Sequence, residues 1–181
     1  RIPEDAVILL SVGELNKGKN HQIAIAALAA LGRRDVYYLI CEQGKMRRQL
    51  QRYADQLGVG RLIRMPGYQE DIQKIYQNAD IFIFPSKREG MPVALMEAMA
   101  AGMPCIVSDV RGNRELIDRL GGIRFTLGQT EELAEALEQL LENRLLREKQ
   151  GKYNQHKIKA YDLQIVQDRM KEIYKDCCLR G

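Results

Sequence analysis

The chain predicts an α/β fold: a doubly wound parallel sheet with helices on both faces. Three observations carry that prediction. Short apolar runs alternate with amphipathic stretches along all 181 residues. The apolar runs are continuous rather than alternating, as strands are when helices cover both faces of their sheet. The connections are short, with no internal repeat or low-complexity linker, which is the pattern of a parallel sheet. At 45% hydrophobic residues the chain can build one compact core.

Taken in order, Ala6–Val12 is expected as the first strand and Asn20–Leu31, rich in alanine, as the first helix. Val36–Cys41 follows as a strand, and Lys45–Leu57 as a helix stopped by Gly58. Leu62–Met65 is a short strand before Pro66-Gly67, Glu70–Asn78 a helix, and Ile81–Phe84 a strand closed by Pro85. Val93–Ala101 reads as a helix, with Pro92 suited to its first turn and Gly102 to its stop. Cys105–Ser108 is a strand, Arg114–Leu120 a short helix and Gly122–Phe125 a last strand. Thr130–Asn143 is a helix with Thr130 as its N-cap and an apolar stripe at Leu133, Ala136, Leu137, Leu140 and Leu141. Tyr153–Cys178 forms a polar helical tail (152–178 as a segment). Its apolar positions Ile158, Tyr161, Leu163, Val166, Met170, Ile173 and Tyr174 suit packing on a neighbouring surface.

A net charge of +4 suits an anionic ligand or an acidic membrane surface, and lacks the dense basic stripe of a nucleic-acid binder. No run of about 18 apolar residues is present to span a bilayer. Arg1-Ile2-Pro3-Glu4-Asp5 has neither an initiator Met nor a signal-peptide pattern, and reads as a cut inside a longer protein. Cys41 and Cys105 lie in strand-like runs as small hydrophobes; Cys177 and Cys178 are adjacent in the tail. Without C-x-x-C spacing, and with only His21 and His156, no metal site is expected, and the compartment reads as the reducing cytoplasm.

In such sheets ligands bind beyond the carboxyl ends of the strands, which selects the loops Gly13–Asn20, Glu42–Gly44, Gly67–Glu70, Ser86–Met91 and Asp109–Asn113. Within the fourth, Pro85-Ser86-Lys87-Arg88-Glu89-Gly90-Met91-Pro92 leads into a helix carrying Glu97, the lone charge between Glu89 and Asp109. An unpaired carboxylate costs several kcal/mol to bury, so Glu97 is expected to have a polar partner, and a carboxylate accepting from two vicinal hydroxyls is a natural sugar or ribose clamp. Gly90 allows close backbone approach, and the N–H groups of the first helical turn attract anions. Glu89 alone is equally a helix-capping acid.

Residues Tyr68 to Ile117 closely resemble the donor-binding domain of GT-B glycosyltransferases. The resemblance is to the large, mostly retaining group 1 or family 4 type, which includes bacterial polysaccharide and lipopolysaccharide transferases. The family pattern P-S-x-x-E-G-x-P-x-x-x-x-E-A-M-A-x-G-x-P is complete from Pro85 to Pro104, with seven residues between the two glutamates. Ser108-Asp109-Val110-Arg111-Gly112-Asn113-Arg114-Glu115-Leu116-Ile117, Gly67-Tyr68 with Asp71 and Ile72, and Ala79-Asp80-Ile81-Phe82-Ile83 also fit. The resemblance implies one Rossmann-like half of a GT-B enzyme. Glu89, the candidate catalytic residue, would contact hydroxyls of the transferred sugar. The backbone of Gly90, Met91 and Pro92 would hold sugar and phosphates, and Glu97 would bind the ribose. The base would lie between the loops Glu42–Gly44 and Gly67–Glu70, which makes Tyr68 a binding candidate.

The first loop, Ser11-Val12-Gly13-Glu14-Leu15-Asn16-Lys17-Gly18-Lys19-Asn20, departs from the pattern. Gly13 and Lys19 match, but Glu14 stands where the family commonly has an arginine. Lys19, helped by Lys17 and the following helix N-terminus, then carries the diphosphate, with Arg88 or Arg111 as further sources of charge. Lys17 and Lys19 also suit a plain solvated helix start. Gly13-x-x-x-x-Gly18-Lys19-Asn20 is no P-loop, because Asn20 replaces the magnesium-holding Ser or Thr. G-x-G-x-x-G and D-x-D are absent.

The expected function is therefore transfer of a sugar from a nucleoside-diphosphate sugar, a substrate rather than a cofactor, to a glycan or lipid-linked acceptor. The acceptor would be held by an N-terminal domain outside this chain, with residues 1–181 as one donor domain. Alone, the chain is expected to bind nucleotide weakly and transfer little. Peripheral membrane association is compatible with such an acceptor, and nucleic acid is not an expected partner. Two other readings stay open: a nucleotide-sugar 2-epimerase of the same fold, and a non-catalytic nucleotide-sugar-binding module.

Overall fold

The computed structural model of the chain describes residues 2–162, 164, 165, 167, 170 and 171. Six strands form one sheet: β1 Val7–Val12, β2 Val36–Cys41, β3 Ile63–Gly67, β4 Ile81–Phe84, β5 Cys105–Ser108 and β6 Gly122–Phe125. Their order is β3-β2-β1-β4-β5-β6, and every neighbouring pair is parallel. Helices α1 His21–Leu31, α2 Arg47–Gln56, α3 Ile72–Asn78, α4 Val93–Ala100, α5 Arg111–Leu116, α6 Thr130–Glu142 and α7 Arg144–Ile158 accompany them.

Side chains alternate across a strand, so each apolar run divides its residues between two cores. Leu9, Ile81, Ile83 and Ile106 face α1, α2 and α6 with Ile25, Leu28, Leu50, Leu133 and Leu137. Leu10, Phe82, Phe84, Cys105 and Val107 face the other way, against Tyr76 of α3, Leu95 and Met99 of α4, and Leu116 of α5. Burying one such side chain contributes roughly 1.5–3 kcal/mol, which is why uninterrupted apolar strands are stable between two helical layers. Cys41 and Cys105 are free and buried, as small hydrophobes should be.

The strand order reverses between β1 and β4, whose pairing aligns Leu9 with Ile81 and Leu10 with Phe82. At such a switch point the chain leaves the two strands in opposite directions and opens a crevice at the carboxyl edge. The loops that follow β1 and β4 are therefore neighbours, and Lys87 N–H donates to Gly18 O at 2.8 Å across them.

Several expected boundaries move. The third strand continues through Pro66 to Gly67, which an edge strand tolerates because one side of its backbone is unpaired. Pro92 sits at the N-cap of α4, one residue before the first turn, while Gly102 stops the helix at φ +78° as expected. α5 starts at Arg111 rather than Arg114, and residues 118–122 form a turn closed by Gly121 and Gly122 N–H groups on Asp118 O. Thr130 is the first residue of α6 and not its cap; Gln129 occupies that position without a side-chain bond, and Glu132 reaches back to accept from Thr126 N–H at 2.7 Å.

The tail helix begins nine residues earlier than expected. Asn143 ends α6 and caps α7, its Oδ1 accepting from Leu146 N–H at 2.9 Å. α7 then gives way to a 3-10 turn at Lys159–Tyr161 instead of running on unbroken. Ile158 packs on the second core, whereas Tyr161 and Met170 are exposed. Leu163, Val166, Ile173, Tyr174, Cys177 and Cys178 lie outside the described residues. None of the described helices is long and apolar enough to cross a membrane.

Candidate functional site

The first loop and the loop after β4 meet through charge. Lys19 Nζ donates to Glu89 Oε1 at 2.7 Å, with side chains 28% and 11% exposed. The same ammonium lies 4.9 Å from the centre of the Phe84 ring, a distance at which the ring's negative face attracts it. A Cβ on Gly13 would stand 3.3 Å from Cδ and Cε of Lys19, so a larger residue there would crowd this lysine. Asn16 Oδ1 accepts from Lys19 N–H at 2.9 Å and its Nδ2 donates to Glu14 Oε2 at 2.9 Å. Glu14 is thus tied into its own loop.

The Glu89-Gly90 backbone is held from the far side by α5. A Cβ on Gly112 would lie 2.5 Å from Gly90 O and 2.8 Å from Glu89 O, so only glycine permits this packing. The N–H groups of Gly90 and Met91 donate to no acceptor among the described residues, and both residues are exposed. Pro92, by contrast, is buried and carries no N–H. Ser86 Oγ, in the loop after β4, and Asn113 Oδ1, on α5, are buried without a partner among the described residues. Buried polar atoms are rarely left so.

Glu97 corrects the premise that selected it. It is exposed rather than buried, because α4 turns this position outward from the second core. It does find a polar partner: Tyr76 Oη donates to its Oε2 at 2.9 Å. Glu97 and Tyr76 line a cavity of about 300 Å³ between α3 and α4 with Ile72, Gln73, Gln77 and Ala100. Among the described residues, Glu97 forms no bond with Lys19 or Glu89, so the two glutamates belong to two clusters. A third cluster contains Tyr68, 64% exposed, which lines a cavity of about 140 Å³ with Val12, Cys41, Glu42, Gln69 and Ile72. Ile72 is shared by the two cavities. Glu42 takes φ +132° there, a backbone conformation rare for a residue with a Cβ and one that gathers at functional sites.

Larger hollows lie along β6, about 410 Å³, and beside α7, about 700 Å³. Neither is lined by Gly13, Lys19, Tyr68, Glu89, Gly90, Met91, Pro92 or Glu97, so size does not identify the site. Arg111 is engaged by Glu115 on its own helix at 3.2 Å, while Arg88 and Lys17 are exposed. Among the described residues no group of three or more His, Cys, Asp or Glu side chains is placed to hold a metal ion.

Sequence reasoning weighed His21 only as a zinc ligand and missed its place here. It opens α1, is 2% exposed, and its Nε2 donates to Gly13 O at 3.3 Å. Nδ1 lies 3.3 Å from Tyr38 Oη, itself 2.7 Å from Ser11 Oγ. Burial foremost, with the nearby charge of Lys19 adding to it, pulls the imidazole down to about 4 despite the Gly13 and Glu14 backbone contacts. A neutral ring therefore braces the backbone of the first loop. Its only advance signal was a histidine directly before an alanine-rich helix.

EpsD of Bacillus subtilis (strain 168) is 31% identical over 174 residues, which are 94% of this chain and 46% of that protein. The Escherichia coli UDP-Gal:alpha-D-GlcNAc-diphosphoundecaprenol alpha-1,3-galactosyltransferase is 26% identical over 144 residues, 78% of this chain and 37% of that one. The crystal structure of Anabaena Alr3699/HepE in complex with UDP superposes with a TM-score of 0.88 at 19% identity, covering 95% of this chain and 49% of that one, and so shares the fold. This chain spans less than half the length of each. The family described as Glycosyl transferases group 1 matches residues 1–157. That match takes in every loop at the carboxyl edge of the sheet, and the chain accordingly belongs to the group 1 glycosyl transferases.

Proposed function

We propose that this chain is the donor-binding half of a retaining transferase that moves a sugar from a nucleoside-diphosphate sugar to a glycan or lipid-linked acceptor. The observation that carries the reading is the Lys19–Glu89 contact, which joins the first loop to the glutamate motif at the switch point. Lys19 and the Gly90 and Met91 N–H groups would take the diphosphate, as cations and free amides do. Glu89 would accept hydroxyls of the sugar, Glu97 those of the ribose, and the cavity at Tyr68 and Glu42 the base. In the transfer, the bond from the anomeric carbon to the diphosphate oxygen breaks and one to the acceptor oxygen forms. The diphosphate leaves with the electron pair, and its departing oxygen takes up the proton that the acceptor hydroxyl gives up. Lys19 and the amides then stabilise the leaving charge, without a resident cofactor in this half.

The acceptor would sit in an N-terminal domain across the crevice. The lipid diphosphate in the name of the Escherichia coli relative supports a lipid-linked acceptor, and such an acceptor would be met at the inner face of a membrane. The test is calorimetric titration with UDP, GDP, ADP and uridine. Lys19→Ala should weaken the preferred diphosphate about 10-fold or more while leaving its nucleoside unchanged. Equal losses for both, or no binding of any nucleotide, would remove the reading.

A further inference from the structure

Tyr76 is 3% exposed on α3, yet its hydroxyl reaches the exposed Glu97 on α4. The phenol has one proton and two acceptors, Glu97 Oε2 at 2.9 Å and Ala94 O at 3.1 Å. The shorter contact goes to the ionised group, and charge-assisted hydrogen bonds are the stronger ones. Burial first, and the negative charge of Glu97 next, push the phenol's pKa up, so it remains a donor.

The ring beneath that hydroxyl is itself fixed. Tyr76 packs on Phe82 at 5.8 Å between centroids, Phe82 stacks on Phe84 at 5.8 Å, and Phe84 carries the Lys19 ammonium on its face. One aromatic row, from Tyr76 on α3 to Phe82 and Phe84 on strand β4, thus runs from the carboxylate of the second cluster to the cation of the first. A carboxylate has about four lone-pair directions. Tyr76 occupies one, on Oε2, which leaves enough for two vicinal hydroxyls.

We infer that Tyr76 is a positioning residue: its hydroxyl holds the Glu97 carboxylate in the orientation that accepts the two ribose hydroxyls of the donor nucleotide. This inference rests on the ribose role proposed for Glu97. An exposed glutamate otherwise samples several rotamers, and holding one of them in advance removes an ordering cost from binding.

The experiment is titration of the chain with UDP and with 2′,3′-dideoxy-UDP. Tyr76→Phe keeps the ring and its stacking and removes only the hydroxyl. It should weaken UDP about 3- to 10-fold, the size of one hydrogen bond, and leave the dideoxy nucleotide unchanged. In a Glu97→Ala background, which leaves the hydroxyl no side-chain acceptor at position 97, the same substitution should change UDP less than about 2-fold. An unchanged preference for UDP, or equal losses for both nucleotides, would overturn the inference. A Tyr76→Phe chain that no longer folds would do the same, since the hydroxyl would then serve the fold. Glu97→Gln alone separates the two layers. If it leaves the ribose preference intact, the clamp itself fails. If it abolishes the preference and Tyr76→Phe does not, only the role of Tyr76 fails.

Discussion

Glu89→Gln should make the chain bind UDP more tightly, although it removes a residue assigned to the donor. Glu89 Oε1 and Lys19 Nζ are 2.7 Å apart, so a diphosphate must draw the ammonium away from a carboxylate that already holds it. A hydrogen bond to a charged partner is worth roughly 1.5–3 kcal/mol. Lys19 is 28% exposed, and solvent reduces the net value to about 1–1.5 kcal/mol. An amide in place of the carboxylate keeps the shape and removes the competing charge. UDP affinity should then rise about 5- to 10-fold. Uridine, which has no phosphate, should bind as before. A UDP-sugar should gain less than UDP, because the amide is a poorer acceptor for sugar hydroxyls. Calorimetry on the three ligands reads all of this directly. UDP affinity that is unchanged or weaker in the variant would show that Lys19 serves phosphate and carboxylate together, and the competition argument would fail.

Two other perturbations address the frame of the site. The folded value of His21 lies below its free value, so its contribution to stability is fully present above about pH 6.5 and is lost as pH falls towards about 4. At 1.36 kcal/mol per unit that is about 3 kcal/mol, readable as the part of the pH dependence of urea unfolding that disappears in His21→Asn. Gly112→Ala would press a Cβ against Gly90 O and Glu89 O, so the loop must shift. A cost of about 1–3 kcal/mol in stability is expected, together with a loss of UDP affinity of about 10-fold or more, checked by denaturation and calorimetry on the same sample.

The strands were legible because each is an apolar run with its own burial to satisfy, and the switch point follows from their order. The beginning of α7 was not. Its buried residues are Gln150, Gly151 and Asn154, none of which makes an apolar stripe. It docks through Asn154 Nδ2, which donates to Met103 O at 2.8 Å and Gly121 O at 2.7 Å, and through Gly151 against the Gly102 carbonyl. Hydrophobic periodicity has nothing to say about a helix held by hydrogen bonds and close backbone approach. α5 was misplaced for a related reason, since its start is set by the contact of Gly112 with a loop some twenty residues earlier. At the candidate site, spacing and resemblance singled out Lys19, Glu89 and Glu97, and the structure joins the first two; the desolvation argument for Glu97 rested on a burial the structure does not have. His21 and Tyr76 act through partners 8 to 21 positions away, which no local pattern encodes.

Glu14 shows how this chain manages with less positive charge in its first loop. A carboxylate facing a diphosphate would repel it, yet Glu14 spends one oxygen on Asn16 Nδ2, and Asn16 in turn holds the backbone N–H of Lys19. The acid shapes the loop that presents the lysine. In the reading proposed above, one cation would serve both the phosphates and Glu89, where an added arginine would have let the two tasks proceed separately. A ligand that supplies phosphates but no sugar must break the Lys19–Glu89 pair without giving Glu89 anything in return. A full donor would replace both halves of the pair, offering phosphate to Lys19 and hydroxyls to Glu89. Sharing the lysine would therefore favour the intact donor over its spent nucleoside diphosphate, and the difference would assist release of the product after the sugar has gone.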